Sequence, residues 1–396
     1  MRYAAVAVCA SMLLTGCGGG SASPGFVPPP QVETPVHFLS SHRPKLHPVS
    51  RLSYLPRPSG KAHLHPSGWR DIPKRFSVAS VSVNAGQKTK RAYILEPSTI
   101  PIFRLGTSAT PYTIQFSPAD PTPRDIAVSP AGDLYVSQPG GNVVSEYSFT
   151  GKRPQATLSG TASPGELAID GAGSLYAASQ AQFGGVNAYA PGGTTPAYNI
   201  FPALGNPRFL TVDGAGNLFL IQGLAGDAAI FGYARGSSTP GYVNDSLSGG
   251  LGFPRAMIAD PGGQLYVASQ SPAIFVGVVV FAPGSTTMSY LISDGAPFPV
   301  ALALDQHNNL YVANYNAASG NSGTIAVYAS GTTTPQYTIT TPGGGTAKPL
   351  SLAVDSFGNL YVAYAGFGVY EYAAGTATST LTLDADPNPS VVLVGP

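Results

Sequence analysis

From Arg91 to the C-terminus the chain alternates apolar and polar positions in short runs, each ending at Gly, Asp, Asn or Pro. Period two predicts strands, and the Gly- and Asp-rich breaks predict tight turns between them. One stretch reads Leu167-Ala-Ile-Asp-Gly-Ala-Gly-Ser-Leu-Tyr-Ala-Ala178 and returns as Leu210-Thr-Val-Asp-Gly-Ala-Gly-Asn-Leu-Phe-Leu-Ile221. Further copies begin at Ile126, Met257, Leu302 and Leu352. The Leu after the turn falls at Leu134, Leu175, Leu218, Leu265, Leu310 and Leu360, giving spacings of 41, 43, 47, 45 and 50 residues. Each copy predicts strand, turn and strand, reversed by an Asp-x-x-Gly-like turn in which Gly supplies the left-handed backbone.

A second unit follows each of these. Val327-Tyr-Ala-Ser-Gly-Thr-Thr-Thr-Pro-Gln-Tyr-Thr-Ile339 matches residues 188–200, 232–244 and 280–292, with looser copies at 371–383 and 146–158. A seventh copy, Ile102-Phe-Arg-Leu-Gly-Thr-Ser-Ala-Thr-Pro-Tyr-Thr-Ile114, has no first unit before it. This unit is another strand pair, so a full repeat carries four strands. Four-stranded units recurring every ~40–50 residues match the blades of a β-propeller.

The expected fold is therefore all-β: a single β-propeller of seven four-stranded blades, closed by N- and C-terminal strands. The unmatched N-terminal strands, residues 91–116, need an inner strand. The end of the chain offers one, since Pro389-Ser-Val-Val-Leu-Val394 aligns with Pro123-Arg-Asp-Ile-Ala-Val128. Closure of this kind removes exposed sheet edges. The alternatives are six blades with the N-terminal strands packed elsewhere, and a closing strand drawn from Ser77–Val83.

The hairpin resembles the Ala-Val-Asp-x-x-Gly-Asn-Leu-Tyr-Val-Ala repeat of the NHL and gluconolactonase-like propeller superfamily, over about residues 91–396. That resemblance implies the fold. For a lactonase-type hydrolase it also implies a divalent metal held at the channel by Glu, Asn and Asp. Asp125 and Glu166 are the acidic pair at the right height, with Asn314 the matching amide. The lyase-type members rely on a His in the propeller. The folded part has one, His307, and it sits in a hairpin turn on the opposite face. No Gly-x-Ser-x-Gly elbow and no P-loop occurs. No cofactor is expected.

The N-terminus adds an export signal. Arg2 precedes an apolar run from Tyr3 to Leu13, too short for the roughly 20 residues of a spanning helix. Leu14-Thr15-Gly16-Cys17 resembles the lipobox of bacterial lipoproteins, which implies cleavage before Cys17 and acylation of its thiol. With Cys9 lost alongside the signal, the mature folded part has no thiol. The expected organisation is a signal peptide at 1–16, a lipidated Cys and Pro-, Ser- and base-rich tether at 17–75, and the propeller at 76–396. Five of the six His residues, His37, His42, His47, His63 and His65, fall in that tether. The expected location is the bacterial cell envelope, lipid-anchored and facing the periplasm or cell exterior.

Charge divides along the same line. Residues 18–91 carry eleven Lys and Arg against two acids, whereas residues 92–396 carry eight against seventeen. An acidic folded part argues against nucleic acid as a partner. The repeated Asp170, Asp213, Asp260, Asp305 and Asp355 read as turn formers accepting backbone hydrogen bonds.

The more informative positions lead into each first strand, because they vary between blades. Arg124, Arg208 and Arg255 occupy equivalent places there, and Lys348 lies close by in the sixth copy. The second strands end on the same face in Gln138, Gln180, Gln222, Gln270 and Asn314. This set suits a carboxylate or sugar acid, bound through charge-assisted and amide hydrogen bonds. The expected function is a non-enzymatic envelope lipoprotein whose propeller binds an anionic small molecule, a glycan or an envelope protein. A metal-dependent lactonase-like hydrolase is the alternative. A monomer is expected.

Overall fold

The computed structural model describes residues 91–106, 112–116, 122–181, 184–202, 207–222, 228–244, 254–271, 275–316 and 322–396. The expected export signal, Cys17, the expected tether and Ser77–Val83 lie outside the described residues.

The described chain forms seven antiparallel four-stranded sheets. Blades 1 to 6 run in order through residues 125–158, 164–200, 210–244, 254–292, 299–340 and 348–384. Blade 7 joins the two ends: Val391–Gly395 is its inner strand, followed outward by Arg91–Leu95, Thr99–Arg104 and Tyr112–Gln115. The pairing runs in full register from Arg91↔Gly395 to Leu95↔Val391. The inner strands touch their neighbours in turn, and Val391–Gly395 contacts both the first and the sixth. The structure is thus the seven-blade propeller, and the inner strand of its seam is the C-terminal one. No helix among the described residues is long and apolar enough to cross a membrane.

The inner strands are buried on both faces, which explains why so many of them lack polar alternation. Leu167 and Ile169 face blade 1, whereas Ala168 between them faces blade 3. Buried residues gather into seven clusters, one in each cleft between adjacent blades. The aromatic residue after each anchor Leu (Tyr135, Tyr176, Phe219, Tyr266, Tyr311 and Tyr361) is at most 4% exposed.

The hairpin turns behave as their composition predicts. Asp170 Oδ1 accepts from the backbone N–H groups of Ala172 and Ser174, and Asp213 Oδ1 accepts from Ala215 and Asn217. Asp305 and Asp355 repeat the pattern, and Asp260 takes the N–H of Gln264 at 2.7 Å. The left-handed position is Gly in five of the six turns, with φ between 81° and 95°, and Asn308 in blade 5, with φ 60°.

Candidate functional site

The two ends of the channel differ in construction. One, the turn face, carries the Asp turns just described. The other, the mouth, is formed where the inner strands begin and the second strands end. Backbone pairing fixes the residues there, since Arg124 N–H donates to Ser137 O at 2.9 Å and Arg208 N–H to Ile221 O at 3.1 Å. Both Arg side chains remain partly exposed.

Glu166 lies between these two cations. Its carboxylate stands 3.9 Å from Arg124 Nη2, and both guanidinium groups act on it electrostatically. It is 7% exposed. Burial, reinforced by the neighbouring Asp125, pushes its pKa up to about 8 against the pull of Arg124 and Arg208. Near neutral pH the carboxyl therefore holds its proton through much of the population, which weakens its pairing with Arg124.

Asp125 is committed to the scaffold. One carboxylate oxygen accepts the N–H of Ile126, and the other accepts the N–H of Leu167 in blade 2, both at 2.9 Å. The acidic pair singled out for a metal therefore spends one member on backbone and sets the other beside cations. Among the described residues no group of three His, Cys, Asp or Glu side chains converges.

A second cationic pair lies elsewhere on the mouth. Arg255 Nε donates to Gln270 Oε1 at 2.8 Å, and Gln270 Nε2 donates on to Pro299 O of blade 5 at 3.0 Å. Burial lowers the Arg255 pKa. Among the described residues its buried Nη1 has no hydrogen-bond partner. Burial also lowers the pKa of Lys348, and the charge of Arg255 lowers it further, so the two cations feel one another. Lys348 Nζ sits 5.5 Å from the centroid of the Tyr315 ring.

The amides divide differently. Gln180 Nε2 donates to Pro207 O of blade 3 at 3.0 Å, and Gln180 lies across Gly165, where a Cβ would fall 2.6 Å from its side chain. Gln180 and Gln270 thus each tie one blade to a Pro at the entry of the next. Gln138 accepts from Ser145 Oγ at 2.7 Å, and Gln222 is fully buried. Asn314 Nδ2 donates to Gly295 O and Val312 O, leaving Oδ1 buried with no partner among the described residues. The cations face the mouth in two pairs, while most of the amides serve as struts around it. Blade-to-blade clasps of this kind span 27 and 29 residues, and no local pattern announces them.

This architecture defines the class: the chain is a β-propeller. No family model matches it, and no curated protein matches it. The likeness of its hairpin to NHL and gluconolactonase-like repeats therefore does not establish membership of that family. Solved structures do match, 1141 chains in all. One is the hydrazine synthase of Kuenenia stuttgartiensis, 14% identical, covering 81% of this chain and 99% of that chain with a TM-score of 0.60. At that identity the likeness shows the fold alone.

Proposed function

We propose that the protein is a lipid-anchored envelope lipoprotein whose propeller binds an anionic ligand, of the carboxylate or sugar-acid type, at its mouth. The observation that carries the reading is the buried Nη1 of Arg255, a charged donor without an acceptor, with Lys348 close enough to feel its charge. A buried donor left unmade is costly, and an incoming carboxylate would supply its acceptor. Arg124 supports the same reading, because the carboxyl beside it is largely protonated near neutral pH. The lactonase-like reading has less to stand on, since Asp125 gives both of its oxygens to backbone N–H groups. The lipobox-like Leu14-Thr15-Gly16-Cys17 supports the anchor.

The test is one titration series on the full chain with sodium glucuronate, using glucose as the neutral control. Glucuronate should bind, weaken as salt rises, and lose about tenfold or more in affinity in Arg255→Ala and in the Arg124→Ala, Arg208→Ala double variant. Equal binding by these variants, or no binding at all, would sink the proposal. Fractionation of the same expression cultures tests the anchor: wild type should pellet with membranes and Cys17→Ser should not.

A further inference from the structure

The turn face departs from its own repeat at one place. The two residues after the turn-starting position are Pro130-Ala131, Gly171-Ala172, Gly214-Ala215 and Pro261-Gly262 in blades 1 to 4. In blade 5 they are Gln306-His307, and in blade 6 Ser356-Phe357. Those blades are neighbours, so the large side chains meet at one cleft. A cavity of about 230 Å³ opens there, lined by Gln306, His307, Tyr311, Gln336, Tyr337 and Phe357 among others.

Its walls combine fixed aromatic surface with uncommitted polar groups. The Tyr337 hydroxyl shares a hydrogen bond with that of Tyr311 and accepts the N–H of Gly375, which pins its ring. Phe357 is 62% exposed although its N–H is tied to Asp355 Oδ1 at 2.8 Å. Gln336 sits where blades 2, 3 and 4 have Ala197, Gly241 and Ser289, each donating its N–H to the third strand of its blade. The equivalent Gln155 in blade 1 spends its amide on Glu146 at 2.8 Å. The residue corresponding to Glu146 beside Gln336 is Val327, which offers the amide nothing.

Among the described residues the one carboxylate on this wall is already committed. Asp305 lines the cavity, but its Oδ1 accepts from His307 and Asn309 N–H groups and its Oδ2 from Asn309 Nδ2. What remains is aromatic surface edged by amides and an imidazole, which both donate and accept. That chemistry fits a ring with an apolar C–H face and hydroxyl edges. The volume is below the roughly 300–1,000 Å³ of sites for drug-sized ligands, so it suits one ring rather than a chain.

We propose that the cleft between blades 5 and 6 on the turn face binds one neutral sugar ring. Phe357 and Tyr337 cover its C–H face, and Gln306, His307 and Gln336 meet its hydroxyls. This site is separate from the cationic mouth and does not depend on it. The repeat itself supplies the control variants. Gln306→Gly with His307→Ala introduces the residues that blades 2 and 3 carry at these turn positions, and Gln336→Ala introduces the residue that precedes the outer strand of blade 2.

The experiment is saturation-transfer NMR followed by titration of the full chain with the methyl glycosides of glucose, galactose, mannose and N-acetylglucosamine at millimolar concentrations. At least one should bind. Phe357→Ala should weaken it about tenfold, and the Gln306→Gly, His307→Ala, Gln336→Ala triple variant by as much or more, with thermal melts unchanged. Arg255→Ala should bind that glycoside as wild type does. Failure of all four glycosides to bind overturns the proposal. So does binding that survives both cleft variants, or binding that Arg255→Ala abolishes, which would move the sugar to the mouth.

Discussion

The two ends of the channel use similar residue types and satisfy them in opposite ways. On the turn face, Asp170, Asp213, Asp260, Asp305 and Asp355 are each answered by a backbone N–H four residues later. At the mouth the answering group lies a blade away: Asp125 takes the N–H of Leu167, 42 residues on, and Gln270 reaches Pro299. The turn face is thus built mainly within each repeat, although Arg235 of blade 3 also pairs with Asp170 of blade 2 at 2.9 Å. The mouth is a property of the closed ring and has no meaning in a single blade. Function placed at the mouth depends on closure, whereas function placed on the turn face depends on where the repeat is broken.

The strongest way to break this contrast is to open the ring. Val391, Val392, Leu393 and Val394 are at most 1% exposed, in the inner strand of blade 7. Val392 also receives support from Ser351 of blade 6, whose Oγ accepts its N–H at 3.2 Å. Burying each such side chain contributes about 1.5–3 kcal/mol, so four approach the roughly 5–15 kcal/mol that holds a whole domain folded. Deletion of residues 389–396 should therefore abolish the cooperative thermal transition seen by circular dichroism. A deletion variant that melts like wild type would mean that another strand closes the ring.

A smaller effect should come from Glu166, and it reads out the mouth alone. Its pKa is pushed from the ordinary carboxylate range to about 8 in the folded chain, mainly by burial. Between the unfolded and folded values the native state holds a proton that the unfolded state releases. Stability must then fall as pH rises through that window, by on the order of a few kcal/mol, and level off above it. Glu166→Gln keeps the shape and removes the titration, so its melting temperature should vary less than wild type between pH 5 and about 8.5. Glu96, raised to about 7, and Asp213, raised to about 6, leave a residual slope. A wild-type profile that is flat over this range would place Glu166 in solvent and overturn the protonated carboxyl beside Arg124.

The contrast also explains what could be read from the residues. The hairpins, their Asp turns and the seven-blade closure were legible because each rests on residues a few positions apart or on a repeated register. The C-terminal Pro389-Ser-Val-Val-Leu-Val394 could be matched to blade 1 by alignment within the chain itself. The commitment of Asp125 to Leu167 N–H and of Gln180 to Pro207 O was not legible, because both bonds join blades and follow from sheet geometry. The cleft at Gln306, His307 and Phe357 was present as a departure from the repeat. The signal that exposes it is the substitution of large side chains for Gly, Ala and Pro at matched turn positions.

The smallest effect tests whether blade 5 deviates for function or by drift. Asn308 takes the left-handed turn position that Gly occupies in the other five hairpins, and its buried Oδ1 has no partner among the described residues. A side chain in this backbone region is strained, and an unmade buried acceptor adds a further cost. Asn308→Gly removes both but makes the unfolded chain freer, which offsets part of the gain. The net expectation is a stabilisation of up to about 1 kcal/mol, a rise of roughly 2 °C in the melting temperature. Sugar binding at the cleft should not change, because Asn308 is not among the residues lining it. If Asn308→Gly instead lowered the melt, the Asn side chain would be holding the Gln306-His307 turn in shape. The departure of blade 5 from its siblings would then extend from the lining of the cleft to the backbone beneath it.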